Sequence, residues 1–108
     1  MSRFETFDLE RAVTRRGSLH WQKLMQLSVR LSRLRSRPSL QRGNEILVLS
    51  HQARLRRIAD IVPGMRFRQG QRVLIIHDVE TIGHRQAWLS CLCEEQRGMA
   101  PSEMETIT

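Results

Sequence analysis

The sequence has no tyrosine, and Phe and Trp together make up only 5% of its 108 residues. Proteins that stack single-stranded bases need several exposed rings, so this scarcity argues against a base-stacking surface. There are only two cysteines and no long apolar run, which argues against a disulfide-built scaffold and a membrane-spanning helix of ~20 residues. Residues 1–5 lack the layout of an export signal. We therefore expect a soluble protein of a reducing cytoplasm that does not bind membranes.

The chain is also short. With 40% hydrophobic residues among 108, it can bury one small core but cannot build an enzyme-sized cleft between two lobes. We expect a single domain over residues 1–97, with neither enzymatic activity nor a small-molecule substrate. Gly98 and Pro101 introduce a polar, acidic stretch, so residues 98–108 are predicted to form a flexible tail.

Acidic residues are scarce through the middle of the chain. Between Arg11 and His77 there are fifteen Lys and Arg residues but only two acids, Glu45 and Asp60. Nearly all of these cations are arginine, whose planar guanidinium binds phosphates and carboxylates in bidentate fashion. The partner is therefore expected to be a nucleic acid or an acidic protein surface, and the alternative is a solvated basic face.

Turn signals and alternating apolar residues favour strands. Residues 61–96 read as three short strands separated near Gly70 and Gly83, because glycine and its polar neighbours mark tight turns. Residues 4–13 alternate loosely and predict a first strand. Residues 50–60 alternate well enough for a further, basic strand. Such short strands need additional sheet around them to be stable.

Residues 21–35 are ambiguous. Trp21 and Leu24 fit a helical spacing, whereas Leu27 and Val29 fit one face of a strand. Composition alone favours a helix here, because Leu, Met, Gln, Lys and Arg are good helix formers.

Arginine recurs at every second position before Pro38. If this stretch is extended, Arg33, Arg35 and Arg37 project from one face, and Pro38 is predicted to end the regular structure. A loop then follows. The candidate interaction residues are Arg33, Arg35, Arg37, Arg42, Arg54 and Arg56.

No motif supplies recognisable chemistry. On a strand, Cys91 and Cys93 point the same way, which is a poor geometry for a bond between them, so we expect buried free thiols. A zinc site would need histidines brought in from distant parts of the chain, because His77 and His84 are the only histidines near the two cysteines. Asp78 and Glu80 at a hairpin end are typical of carboxylates that are solvated or paired with a nearby arginine such as Arg85. We predict no catalytic residue, no cofactor and no metal site.

Five apolar residues are predicted to build the core. They are Trp21, Val73, Ile75, Trp88 and Leu92.

The order of features after residue 50 resembles the small head-tail joining proteins of long-tailed phages, the head-closure or stopper family of siphovirus type, and their gene transfer agent counterparts. The matching stretches are residues 59–61 (ADI), 63–67 (PGMRF), 71–76 (QRVLII), 78–80 (DVE) and 88–95 (WLSCLCEE). Residues 9–11 suit the first strand of that family, and residues 21–34 suit its long second strand. The family's longer loop after that strand is replaced here by a short, arginine-rich stretch.

The resemblance implies an all-β fold, a small antiparallel barrel or sandwich of about five to six strands, with residues 21–34 extended. It also implies a virion protein at the head-tail interface, assembled in the bacterial cytoplasm. Copies would form a ring, a hexamer or a dodecamer, between the portal or adaptor ring and the tail terminator protein. Packaged double-stranded DNA would run through the channel.

A second hypothesis comes from the charge alone. A small basic regulator from a prophage or plasmid would use the cations between Arg30 and Arg42 and between Arg54 and Arg72 on DNA phosphates. The sequence contains no recognisable helix-turn-helix, which disfavours this reading.

Overall fold

The computed structural model describes residues 3–41 and 43–97. Six antiparallel strands form a closed barrel in the order β1-β2-β3-β6-β5-β4. The strands are β1 (Phe4–Arg15), β2 (Ser18–Gln41), β3 (Asn44–Arg56), β4 (Arg66–Gln69), β5 (Arg72–Ile82) and β6 (Trp88–Arg97). The predicted all-β fold is therefore confirmed, and the ambiguous stretch after Trp21 is a strand.

The barrel closes through a short seam between β1 and β4, where Leu9 lies opposite Phe67. Both side chains are almost completely buried. They belong to a core that comprises fourteen apolar residues of the described part of the chain. Most of these alternate along the strands, and Ile61 comes from the β3–β4 connection. Successive side chains of a strand point to opposite faces, so every second residue of a strand faces the barrel interior.

Strand β2 is the longest element and it bends. A straight strand of 24 residues would measure roughly 75 Å at ~3.3 Å per residue, which exceeds the 52 Å greatest extent of the molecule. The register of β2 slips once against β1, at Leu24, and once against β3, at Leu34. Each slip places one extra residue in β2, and such bulges bend a strand. The start of β2 forms a hairpin with β1, and its end forms a hairpin with β3.

Tight turns fix two of the hairpins. Arg16 and Gly17 both have positive φ angles, 53° and 78°, between the paired residues Arg15 and Ser18. This combination is that of a two-residue type I′ turn, whose twist matches the flanking strands. Gly70, with φ 62°, begins the two-residue turn between β4 and β5.

The predicted core was wrong in the C-terminal strands. Leu92 is 44% exposed, and Val73 and Ile75 are only partly buried on the outer wall. Leu74 and Ile76 fill the core instead. The run from Val73 to Ile76 is apolar at every position, so alternation could not identify its inner face, and a one-residue error exchanges the two faces.

The two tryptophans also lie outside the buried core cluster, and both are partly buried. The Arg66 guanidinium carbon lies 4.0 Å from the Trp21 ring centroid. The Arg56 guanidinium carbon lies 5.0 Å from that of Trp88. Each ring is thus held on the outer wall by an arginine, an attraction between a cation and the ring quadrupole.

Pro38 does not end the regular structure, contrary to prediction. It lies within β2, opposite Leu47 of β3. Proline lacks a backbone N–H and is tolerated where that side of a strand has no partner. The predicted loop after Pro38 is accordingly the end of a hairpin. Residues 98–108, predicted to be a flexible tail, lie outside the described residues, as does Arg42.

Candidate assembly surfaces

The first candidate surface is the distal part of β2, residues 33–41, which we call the β2 edge segment. The last pair between β1 and β2 joins Phe4 to Arg30. Beyond it, β2 pairs with β3 on one side, and on the other side no strand of the described residues accompanies it. An unpaired strand edge presents N–H and C=O groups that another strand can bind.

The predicted arginine row is only partly formed on this segment. Arg33 lies opposite His51, on the side of the sheet that faces the barrel interior. The extra residue Leu34 then shifts the alternation, so that Arg35 lies opposite Ser50, on the outer side. Arg35 and Arg37 therefore share the outer face and Arg33 does not. All three side chains are exposed.

The second candidate surface is the end of β5, residues 78–82, which we call the β5 edge segment. Strand β4 accompanies β5 as far as Ile75, and Met65 and Gly64 then bond to the backbone of Ile76. No backbone hydrogen bond from the described residues continues along that side of the segment. It is a second open strand edge.

The β5 edge segment carries two carboxylates. Asp78 lies opposite Leu92, and Glu80 lies opposite Ser90. Both are exposed on the outer face, while Val79 between them packs against the core. Asp78 Oδ1 accepts a hydrogen bond from the Val79 N–H at 3.1 Å. Neither carboxylate forms an ion pair with any described residue of the chain, in contrast to Glu5, Asp8, Glu10, Glu94 and Glu95.

Arg54 and Arg56 form a separate basic patch. They lie on the outer face of β3, opposite Ser90 and Trp88 respectively. Arg30 of β2 lies directly opposite Arg54. Arg54 and Arg30, together with the Phe4 and Trp88 rings, line a shallow groove of about 250 Å³. The predicted interaction residues are thus divided between the two ends of β3, and Arg42 lies outside the described residues.

A buried polar cluster supports the base of the β2 edge segment. Glu95 is 3% exposed and accepts hydrogen bonds from His51 Nε2 at 2.8 Å and from Arg72 Nε at 3.0 Å. Arg97 Nε donates to the same carboxylate at 3.1 Å. The Nδ1 atom of His51 is buried and has no hydrogen-bond partner among the described residues.

The environment sets the charge states of this cluster. Burial lowers the pKa of His51 and outweighs the opposing effect of Glu95, so the imidazole is neutral near pH 7 and donates through Nε2. Burial raises the pKa of Glu95, but the hydrogen bonds from Arg72, His51 and Arg97 prevail and lower it. The result is an ionised carboxylate held by two arginines at one end of the barrel.

The cysteines are buried and unbonded, as predicted. Burial raises the pKa of Cys91 to about 11 and raises that of Cys93 further still. These thiols are therefore protonated at neutral pH and unreactive. Within the part of the chain that the structure describes, no group of three metal-ligating side chains comes together. Across residues 3–41 and 43–97, no helix is long and apolar enough to cross a membrane.

Sequence reasoning missed the Glu95 cluster and the position of Arg30 directly opposite Arg54. The signal for the cluster was present, because Glu95 follows Cys91 and Cys93 at every second position and so lies on their buried face. His51 likewise precedes Ala53 and Leu55. For Arg30, only the pairing register of β2 with β3 could reveal that it lies opposite Arg54.

These features define a class of protein: a six-stranded antiparallel barrel with open, oppositely charged strand edges. The barrel is similar to a chain in the solved structure of the virion of a native gene transfer agent particle, with a TM-score of 0.78 and 19% sequence identity. The match covers 90% of this chain and 98% of the other. At this identity, the comparison shows a shared fold. No protein-family model matches the chain, and no curated protein matches it in sequence.

Proposed function

We propose that this protein is a structural component of a tailed-phage virion or gene transfer agent particle. The observation that carries the proposal is the fold, which a chain of a gene transfer agent virion shares over almost the whole length of both chains. Coverage of 90% and 98% means that the likeness extends to the complete barrel rather than to one hairpin.

More specifically, copies of the chain form a ring at the head-tail interface. The ring closes the DNA-filled capsid beneath the portal or adaptor ring and docks the tail terminator protein. Two open strand edges, exposed leucines and the carboxylates Asp78 and Glu80, which have no ion-pair partner among the described residues, support this role. Each is a feature that neighbouring subunits can cover. Packaged DNA is the proposed occupant of the channel, where arginines suit phosphates.

Deletion of the gene in the producing strain tests this function. We expect tailless, DNA-filled heads together with complete free tails in negative-stain electron micrographs, and recovery of tailed particles when the wild-type gene is supplied from a plasmid. Heads that are joined to tails in the deletion strain would contradict the head-tail role.

The alternative is a small basic regulator that binds DNA. Measuring DNA affinity over a series of salt concentrations distinguishes it from this proposal. A regulator that contacts several phosphates loses affinity with a log–log slope of about −0.9 per contact. We expect the isolated protein to bind duplex DNA weakly. Tight, sequence-dependent binding at physiological salt would favour the regulator.

A further inference from the structure

We propose that the β2 edge segment of one copy pairs along the β5 edge segment of the next copy, so that the two open edges form the contact between neighbours in the ring. This inference rests on the proposed ring function and assigns its subunit contact to named residues. The occupant of each edge is a second copy of this chain.

The backbone of both segments is ready for such pairing. Each is extended and hydrogen-bonded on one side only among the described residues, residues 33–41 to β3 and residues 78–82 to β6. An added strand would satisfy the N–H and C=O groups on the open side, except at Pro38, which has no N–H and offers only its C=O there. This is how extended segments bind sheet edges.

The charges match in sign and in spacing. Arg35 and Arg37 stand two residues apart on the outer face of one edge, and Asp78 and Glu80 stand two residues apart on the outer face of the other. Side chains on one strand face recur every second residue, so there is a register of the two paired edges in which both arginines lie beside both carboxylates. Opposite charges in such cross-strand positions stabilise a sheet.

Exposed leucines accompany both edges. On β2, Leu34 is 53% exposed and Leu40 is 74% exposed. Leu92, directly opposite Asp78, is 44% exposed. Leu34 and Leu92 line one shallow surface groove together with Asp78 and Glu80. A neighbouring copy would cover apolar area here that a lone subunit leaves in water.

The proposed contact is heterologous, which means that two different surfaces of the same chain meet. The two edges are different surfaces of the same chain, so each copy can offer one edge to the copy before it and the other to the copy after it. A contact of this kind generates a ring when the rotation between copies closes. A symmetric dimer built on one edge alone would require that edge to face itself, and neither edge is complementary to itself in charge.

The test uses charge exchange in a deletion strain that carries the gene on a plasmid. The β2 variant has Arg35→Glu and Arg37→Glu, the β5 variant has Asp78→Arg and Glu80→Arg, and the exchange variant has all four changes. We expect each two-residue variant to reduce the number of tailed particles at least tenfold and the exchange variant to restore most of them. Thermal melting of the purified variants checks that each is folded.

A matched control separates position from net charge. Arg15→Glu and Arg16→Glu, in the β1–β2 turn region, change the charge by the same amount as the β2 variant. Combined with the β5 changes, they should fail to restore tails, although the net charge equals that of the exchange variant. Rescue by this control, or wild-type yield from either two-residue variant, would overturn the proposed contact.

The two proposals fail in distinguishable ways. Tailed particles in the uncomplemented deletion strain would refute the head-tail role and the contact with it. Tailless particles in that strain, together with wild-type yield from the β2 and β5 variants, would refute the contact alone and leave the head-tail role standing.

Discussion

At the scale of single residues, the most constrained group is the carboxylate of Glu95. It lies on the inner face of β6 and is bonded by His51, Arg72 and Arg97. A buried charge is tolerated only when partners replace its lost hydration, and here three donors do so. His51 belongs to β3 and Arg72 to β5, so this one side chain ties three strands together beside the base of the β2 edge segment.

The cluster predicts acid sensitivity. The pKa of His51 is lowered in the folded state, so the unfolded chain takes up the proton first as the pH falls below about 6.5. Stability should therefore fall below that pH. The pKa of Glu95 is also lowered, which adds a further loss below about pH 4.5. The melting temperature measured from pH 7.5 to pH 5 should decline, and His51→Gln should flatten the decline.

His84→Gln, a change at an exposed histidine of the β5–β6 connection, is the matched control and should keep the wild-type pH dependence. An unchanged slope in His51→Gln would remove His51 from this role.

Two leucines of β6 give a paired prediction on stability. Leu89 is 4% exposed and belongs to the core, whereas Leu92 is 44% exposed. Leu89→Ala should lower the free energy of unfolding by about 2–5 kcal/mol, because it leaves a cavity. Leu92→Ala should change it by less than about 1 kcal/mol. Urea unfolding of both variants measures the difference, and equal losses would contradict the assigned inner face of β6.

At the scale of elements, the connection between β5 and β6 is the most strained. Gly83 has φ 83° and ψ 178°, a region of backbone space open essentially to glycine alone. A Cβ atom at this position would lie 3.2 Å from Cδ1 of Trp88. The turn then continues through Arg85 and Gln86, which both have positive φ angles. This connection sets the direction of Trp88 and hence the start of β6.

Gly83→Ala should therefore destabilise the fold by about 1–3 kcal/mol. Gly17→Ala is the comparison, because Gly17 also has a positive φ but no atom within 4 Å of the added Cβ. We expect the larger fall in melting temperature for Gly83→Ala. The reverse order would mean that contact with Trp88 adds nothing to the backbone strain.

The elements also show what the sequence could and could not predict. Loose alternation located β1, and the turn residues near Gly70 and Gly83 separated the three C-terminal strands. Bulges were invisible, because the extra residues Leu24 and Leu34 look like any other strand leucine, and Leu34 is what breaks the arginine row. The prediction that Pro38 ends the strand was wrong because a proline is tolerated on a strand edge that has no hydrogen-bonding partner. The pairing of β1 with β2 ends at Arg30, so β2 has such an open edge at Pro38.

For the candidate surfaces, the sequence identified the charged residues but not how they are arranged in space. The basic residues around Arg35 were identified from their spacing alone, and Asp78 and Glu80 were expected to be either solvated or paired with an arginine such as Arg85. Their relation could not be predicted, since it depends on where β4 stops along β5 and where β1 stops along β2. Strand lengths of that kind are fixed by tertiary packing rather than by local pattern.

At the scale of the whole molecule, the chain is a flattened body of 52 × 42 × 20 Å. Its arginines are concentrated on β2 and β3, and the exposed carboxylates Asp78 and Glu80 lie at the end of β5. Such a body can pack side by side with copies of itself while leaving a basic wall toward a channel or toward acidic neighbours. A ring built this way needs no catalytic residue. It needs a rigid barrel, which the closed β1–β4 seam provides.

The central claim is that this barrel occupies the head-tail junction of a particle, and a cryo-electron microscopy reconstruction of that junction tests it most directly. We predict a closed ring of these barrels between the portal side and the tail, with residues 33–41 of each copy against residues 78–82 of the next. A junction whose density contains no such barrel, or particles in which the barrel lies elsewhere, would contradict the account.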